Sequence, residues 1–312
     1  MLTHRAGATV DDLRAAEELI ARAWQADAPL VAATPAALEW WHAATAPEPL
    51  ASHLRLWSDD GEDVAWTWHD GDEVEWHVWT DDNARDLEVF RQILETVVQE
   101  AGVRPVGIFA AEDDLATITA LADLGFATAG RRLSQFLWHP ADGRPSPSEP
   151  PLPAGYRIRP LAGPDEVPAR VEVHRAAFQP SRLNVEKYER LLTLPRYRFD
   201  DDLVVEAPDG RLAAFAMAWW DVDARVGEFE PVGTHPDHQR RGLARALLRW
   251  GLDRYAARDA RVVQVYSDAS NPASEALYEA IGFRRRAFHR RHERPGDAGS
   301  ADGPTPQLQS GP

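Results

Sequence analysis

The sequence predicts a mixed α/β protein of two tandem domains, each with a mostly antiparallel mixed sheet flanked by helices. Three observations support this fold class. A segment rich in Pro and Ser, residues 141–154, divides the 312-residue chain near its middle, as a linker does. The halves on either side carry strand and helix signals in a similar order. Both halves close with one short tag, Leu124-Gly125-Phe126 and Ile281-Gly282-Phe283, which indicates an internal repeat.

The first half, residues 1–140, begins with helical spacing and continues as a meander. Helices are predicted at 10–24 and 35–43, before three strands at 54–57, 64–68 and 74–79 that are separated by turns at Gly61 and Gly71. A helix at 87–100, a strand at 106–109 and a helix at 115–124 complete this half.

The second half, residues 155–294, follows nearly the same plan. We predict strands at 156–160, 203–206, 211–219, 225–234, 262–266 and 283–289, with a Pro-Asp-Gly turn at 208–210. Helices are expected at 165–178, 185–194, 242–257 and 272–281. Residues 295–312 are rich in Gly, Pro, Ser and Gln, and we expect them to be disordered.

Composition and charge exclude several classes of function. The formal net charge of −16 opposes binding to nucleic acid, but it would attract a cationic small molecule or simply keep the protein soluble. The absence of cysteine excludes thiolate metal sites and a cysteine nucleophile. No signal peptide and no run of about 18 apolar residues is found, so we expect a cytoplasmic protein without membrane contact.

One segment of the second half carries the features of an anion site. A strand that contains Val232, Gly233 and Thr234 leads, through a turn, to the start of a helix at Gln239-Arg240-Arg241-Gly242-Leu243-Ala244. The first turn of a helix offers unpaired backbone N–H groups and partial positive charge. Gly242 lets a ligand approach the backbone, and the two arginines add charge. The pattern predicts a cradle for a pyrophosphate.

This segment resembles the core pattern of the GNAT superfamily of acyl-CoA-dependent N-acetyltransferases, Q/R-x-x-G-x-G/A. A second match lies downstream, where residues 271–283 resemble the family pattern that runs from Asn271 through Tyr278 to Gly282-Phe283. The resemblance covers residues 155–292. It implies that acetyl-CoA is the acyl donor, that the strand end at Val232 and Thr234 pairs with the pantetheine arm, and that Asn271 lies near pantetheine or phosphate.

Acetylation of an amine by a thioester needs an oriented carbonyl, an acid near the sulfur and a base near the amine. The resemblance makes Tyr278 the candidate acid. The candidate bases are Glu228 and Glu230, which lie on the strand before the cradle. Glu228 stands eleven positions before Gln239, where many family members place an acidic base. Strand alternation puts both carboxylates on one face. A solvated strand face is the alternative for this pair.

The acceptor side is less marked in the sequence. His174, Phe178 and Arg182 surround the region that helps to form the acceptor pocket in the family, and Trp219 is a further candidate for its wall. Ordinary packing is the alternative reading of these residues. His235 and His238 lack a patterned third ligand, so we expect no metal.

The first half lacks the donor motif. Three acidic residues, Asp81, Asp82 and Asp86, stand where the cradle should follow the strand at 74–79, and Leu121 stands where Tyr278 would be. We therefore predict a degenerate GNAT-like domain at 1–140 and a catalytic domain at 155–294.

The predicted function is transfer of an acetyl or other small acyl group from acetyl-CoA to the primary amine of a small molecule. The chain would act as a monomer or homodimer. A mycothiol-synthase-like acetyltransferase and a non-catalytic acyl-CoA-binding module are the alternatives.

Overall fold

A computed structural model describes residues 1–26, 31–143 and 152–296 of the chain. Residues 144–151 of the predicted linker and residues 297–312 of the predicted tail lie outside this range. Within it, no helix is long and apolar enough to cross a membrane.

The elements follow the predicted order closely, with two additional strands. The strands are β1 Thr3–Ala6, β2 Leu54–Asp59, β3 Glu62–Asp70, β4 Glu73–Val78, β5 Val106–Ala111, β6 Ala127–Trp138, β7 Arg157–Pro160, β8 Asp202–Glu206, β9 Leu212–Asp221, β10 Val226–Thr234, β11 Val262–Asp268 and β12 Arg284–Arg294. The helices are α1 Val10–Gln25, α2 Ala37–Ala44, α3 Asn83–Ala101, α4 Leu115–Asp123, α5 Val167–Ala177, α6 Val185–Leu192, α7 Leu243–Ala257 and α8 Pro272–Ala280. The sequence analysis did not predict β1 and β6.

The chain forms two compact units that differ from a division at the linker. Among the described residues, the first unit contains the chain up to Pro35, Glu48–Leu133 and residues 287–296, and the second contains Ala36–Pro47 and Ser134–Arg286. Helix α2 therefore belongs to the second unit, although it lies early in the sequence. Most of β12 belongs to the first unit, and the second part of β6 belongs to the second.

Each unit has a mixed sheet, which confirms the predicted fold class. In the first unit the strand order is β1-β2-β3-β4-β5-β12, and only β4 and β5 pair in parallel. In the second unit the order is β6-β11-β10-β9-β8-β7. There β7, β8, β9 and β10 pair antiparallel in sequence, and β10 pairs with β11 in parallel.

Small residues bring α7 close to the second sheet. A Cβ atom on Gly251 of α7 would lie 2.6 Å from the ring of Phe229 on β10. A Cβ on Gly227 of β10 would lie 2.4 Å from the ring of Tyr255 on α7. Both glycines are needed because interiors pack without spare volume. This contact fixes the start of α7 relative to the end of β10.

A buried ion pair joins α5 to β8 in the second unit. Both side chains of the pair are fully buried, and Arg170 Nε donates to Asp202 Oδ1 at 2.9 Å. The hydroxyls of Tyr188 and Tyr197 donate to the other oxygen of Asp202. The Arg170 guanidinium stacks 3.9 Å above the Phe215 ring, while its two terminal nitrogens have no hydrogen-bond partner among the described residues. Asp202 is therefore the one counter-charge that this site supplies.

We expect Asp202→Ala to lower the free energy of unfolding by about 3–5 kcal/mol, since it leaves a buried guanidinium without its partner. Denaturant unfolding measures this change. The control is Asp209→Ala, which removes the partner of Arg211 in a pair that is half-exposed on both sides and should leave stability nearly unchanged. Equal losses in the two variants would contradict the assignment.

Candidate active site

The two central strands of the second unit pair over a short stretch and then part. β10 and β11 are in register at Val226 with Val262, Gly227 with Val263 and Glu228 with Gln264, and pairing ends there in the described chain. Both strands continue further, to Thr234 and to Asp268. Among the described residues, no register between β10 and β11 continues beyond Glu228.

A β-bulge redirects β10 at the point of parting. Its register with β9 shifts between Phe229 and Val232, so that Glu230 and Pro231 stand opposite one residue of β9. Bulges bend a strand and increase its twist. Beyond the bulge, Gly233 packs tightly, because a Cβ there would lie 2.5 Å from the Phe215 ring and 2.9 Å from the Ala177 Cβ. Val232 is buried and Thr234 is half-buried.

The helix that follows begins without a cap. Gly242 has left-handed backbone angles, φ 76° and ψ 9°, and no side chain accepts a hydrogen bond from the first turn of α7. The first intrahelical bond of α7 runs from Ala246 N–H to Gly242 O. A Cβ atom added to Gly242 would meet nothing within 4 Å. The exposed helix start at Gly242 therefore borders open space, which suits an anionic ligand.

The charged residues around this helix start have separate positions. Arg240 is exposed and makes no hydrogen bond or ion pair within the described chain, so its charge is available to a ligand. Arg241 donates to the Tyr156 hydroxyl at 3.0 Å and to the Asp237 carbonyl at 3.2 Å. Gln239 is exposed, with its amide 3.5 Å from the Thr234 carbonyl.

Tyr278 lies on α8 beside two aromatic rings. Its ring centroid is 5.7 Å from that of Phe136 and 5.9 Å from that of Phe283, and only 2% of the residue is exposed. Burial raises the pKa of the Tyr278 hydroxyl, and the negative charge of Glu230 raises it further. The hydroxyl therefore stays protonated at neutral pH. Asn271 caps α8 through a hydrogen bond from Ser274 N–H to its side-chain oxygen.

The two candidate bases lie in different surroundings, because the bulge interrupts the alternation along β10. Glu228 is buried, and its Oε1 accepts a hydrogen bond of 3.0 Å from Gln264 Nε2. Glu230 is half-buried and close enough to Tyr278 to act on its pKa. The simple expectation of one shared strand face therefore does not describe the pair.

The predicted acceptor residues are mostly enclosed. His174 contacts the rings of Phe178 at 4.7 Å and Phe215 at 5.5 Å. Burial, with the charge of Arg170, lowers the pKa of His174 to about 3, so the imidazole is neutral. Trp219 is buried in a cluster with α6, and its indole donates to the Glu230 carbonyl at 2.7 Å. Arg182 alone is exposed. Their roles in acceptor binding stay predictions.

Helix α2 adds a group that the sequence analysis did not assign to this unit. Trp40 and Ala43 pack in the same cluster as Tyr188 and Trp219. The buried carboxylate of Glu39 accepts hydrogen bonds from the Arg196 backbone N–H at 3.0 and 3.1 Å. No local sequence pattern predicts this placement, since an amphipathic helix does not identify its partner.

In the first unit, too, two parallel strands part after a short pairing, but side chains of that unit occupy the gap and the following helix start. The parallel strands β4 and β5 are in register only at Glu73 with Gly107. Beyond this pair, the Trp76 indole donates to the Phe109 carbonyl at 3.2 Å. The helix that follows, α3, is capped by Asp82, whose carboxylate accepts from the N–H groups of Ala84 and Arg85. Side chains thus satisfy the groups that are open in the second unit.

The open site of the second unit fits an acyl-CoA. Backbone groups of β10 beyond its pairing with β11 can pair with the amides of a pantetheine arm, and the helix start beside Arg240 suits a pyrophosphate. Among the described residues, no group of three or more His, Cys, Asp or Glu side chains could hold a metal ion.

This fold and this site define an acyltransferase. Residues 171–283 match the Acetyltransferase (GNAT) family. A mycothiol acetyltransferase of Clavibacter michiganensis is 31% identical over 225 residues, which are 71% of this chain and 72% of that protein. A second, from Clavibacter sepedonicus, is 31% identical over 240 residues, which are 76% and 78% of the two chains. The chain belongs to the GNAT acetyltransferase family, whose members use acetyl-CoA.

Solved structures agree on the fold. A GCN5-related N-acetyltransferase from Sphaerobacter thermophilus has a TM-score of 0.63 at 21% identity, with 95% of this chain and 96% of that chain covered. A tandem GNAT protein from the clavulanic acid biosynthesis pathway has a TM-score of 0.63 at 14% identity, with 97% and 100% covered. These likenesses support a tandem GNAT architecture.

We expect Gly242→Glu to weaken acetyl-CoA binding by at least about 100-fold, because a carboxylate would fill the cradle and repel phosphate. Calorimetric titration with acetyl-CoA should give one site per chain in the parent protein and none in this variant.

The matched control is Gly125→Glu. Gly125 also has a left-handed φ, 83°, and open space around its missing Cβ, but it lies in the first unit. It carries the same backbone strain and added charge, so its affinity for acetyl-CoA should equal that of the parent. If Gly242→Glu retained affinity while folded, the cradle would be misplaced.

Proposed function

We propose that the protein transfers the acetyl group of acetyl-CoA to the primary amine of a small molecule, at one site in the second unit. One observation carries this proposal. The end of β10 beyond its pairing with β11, the start of α7 and the Tyr278 hydroxyl of α8 all belong to that unit. In the described part of the first unit, Trp76, Asp82 and Leu121 stand at the corresponding positions.

The residues of this site divide the work of binding. Backbone groups of Val232, Gly233 and Thr234 would pair with the pantetheine arm. The N–H groups of Gly242, Leu243 and Ala244, with Gln239, Arg240 and Arg241, would hold the pyrophosphate. Bound acetyl-CoA supplies the activated thioester. Fixing it in one orientation contributes much of the rate, because the reacting groups are then held in place.

Two side chains would handle the protons. Glu228, or Glu230 as the alternative, would accept the proton that the amine loses as its nitrogen bonds to the acetyl carbon, directly or through a water. We favour Glu228, because it stands at the last paired position before the strands part and because Gln264 holds one of its oxygens. As the carbon–sulfur bond breaks, Tyr278 would donate a hydrogen bond to the departing sulfur. Its raised pKa favours donation of the bond over complete loss of the proton.

The acceptor is proposed from chemistry and from relatives. A strongly acidic chain, with a net charge of −16, attracts amines. Two relatives are matched over more than two thirds of their own length, and both are named mycothiol acetyltransferases. That makes their acceptor amine the first specific candidate. Trp219, His174, Phe178 and Arg182 remain the proposed acceptor residues.

Release of CoA thiol in the presence of an amine panel tests this function. The panel contains the acceptor of the mycothiol acetyltransferases, a polycationic small-molecule amine and a peptide N-terminus. We expect release to match the amount of acetylated small-molecule amine. Tight acetyl-CoA binding without release for any amine would instead identify a non-catalytic acyl-CoA-binding module.

We expect Tyr278→Phe to lower kcat by about 10- to 100-fold with little change in acetyl-CoA affinity, because it removes only a hydrogen bond made as the sulfur departs. Steady-state kinetics and titration separate the two effects. Tyr197→Phe is the control, since it removes another enclosed tyrosine hydroxyl, one that donates to Asp202 at 3.1 Å. An unchanged kcat in Tyr278→Phe would remove the proposed role.

A further inference from the structure

A row of buried polar side chains crosses the second sheet beside the parting of β10 and β11. Glu228 stands opposite Trp219 on β9 and opposite Gln264 on β11, so these three share one face of the sheet. Gln135 extends the row from β6, the neighbour of β11. Gln264 is completely buried and Gln135 nearly so.

The hydrogen bonds along this row run in one direction. Gln135 Nε2 donates to Gln264 Oε1 at 2.6 Å, and Gln264 Nε2 donates to Glu228 Oε1 at 3.0 Å. An ionised carboxylate can only accept, so the amide of Gln264 must present its nitrogen to Glu228. Its oxygen then faces Gln135, which must present a nitrogen in turn. The orientation of both amides therefore depends on the charge of Glu228, and the reverse also holds.

We propose that Gln264 and Gln135 are positioning residues, which hold the Glu228 carboxylate ionised and aligned for proton transfer. The inference rests on the proposed role of Glu228 as the base. Because Gln135 lies on β6, before the linker, the first half of the sequence supplies part of the support for the base in the second unit.

Simple stabilisation of the fold would not require this chain of amides. Replacing both partners of a buried hydrogen bond by apolar groups of similar shape is often nearly neutral, whereas a single unmatched group is costly. A structural row would therefore tolerate any matched set of side chains. A row that positions Glu228 must present a hydrogen-bond donor to its carboxylate. The direction of the hydrogen bonds along the row therefore matters, and a substitution can reverse this direction.

Gln135→Glu reverses this direction with little change of shape. The new carboxylate would draw the Gln264 nitrogen toward itself and turn the Gln264 oxygen toward Glu228, which would then favour its protonated form. We expect the acidic limb of the kcat profile to move up by at least about one pH unit, so that kcat measured on that limb falls about tenfold, since one unit is a factor of ten. Acetyl-CoA affinity should stay within about twofold of the parent by the same reasoning, because the cradle is unchanged.

Two further variants make the test specific. Gln135→Met keeps the length but removes the hydrogen bond to Gln264 Oε1 without adding a carboxylate, so its shift should be smaller than that of Gln135→Glu. Ser134→Ala is the control for damage to β6, because Ser134 is the adjacent buried residue and donates to Glu275 instead. Titratable groups beside Glu228 include Tyr255 of α7, whose hydroxyl lies 2.8 Å from the Glu228 carbonyl, and Glu230 on the same strand. They are unchanged in all three variants.

Glu228→Gln separates the inference from the function on which it rests. If Glu228→Gln removes the acidic limb and Gln135→Glu shifts it only when Glu228 is present, the positioning role is supported. If Glu228→Gln removes the limb but Gln135→Glu lowers only the thermal midpoint, the row is structural and the inference is wrong. If Glu228→Gln leaves the profile in place, the proposed base itself is wrong.

Discussion

The parting of β10 from β11 after Glu228 and Gln264 is the constraint on which the second unit depends. A sheet interior normally satisfies every backbone N–H and C=O group, and unpaired groups are costly when they are buried. Here no register of β10 with β11 continues beyond Glu228 among the described residues, and the bulge and Gly233 hold the rest of β10 in place against β9 and α5. The turn that follows β10 leads to the uncapped start of α7. This arrangement suits a ligand with amide groups and an anionic end, as the proposed function requires.

The first unit shows that side chains, as well as topology, decide whether such a site stays open. Its strands β4 and β5 also part after one pair. Trp76 then reaches a carbonyl of β5, and Asp82 occupies the helix start with a negative charge. These two side chains make contacts within the protein at the positions where the proposed site of the second unit would contact its ligand. One architecture can therefore provide a donor site in one copy and a filled, structural site in the other.

Local signals in the sequence predicted most elements and the donor motif. The helix at α7 was predictable because its apolar spacing is local, and Gly242 with two arginines in one short segment is the signal behind the predicted cradle. The positions of β6, β12 and α2 were not, since strand partners depend on contacts between distant residues. Strand β6 also carries Gly130, Arg131 and Arg132 in succession, which obscures its alternation. The different surroundings of Glu228 and Glu230 depend on a bulge that no local pattern marks.

These long-range placements explain why a filled first copy would be kept. Helix α2 supplies Glu39 and Trp40 to the second unit, and β6 supplies Phe136 beside Tyr278 and Gln135 at the end of the row that reaches Glu228. The chain after Ala287 in turn completes the sheet of the first unit, where Arg291 pairs with Asp72. Each unit is thus incomplete without sequence from the opposite half. The exchanged segments act through packing and hydrogen bonds. This mutual dependence of the two units therefore does not require a ligand site in the first unit.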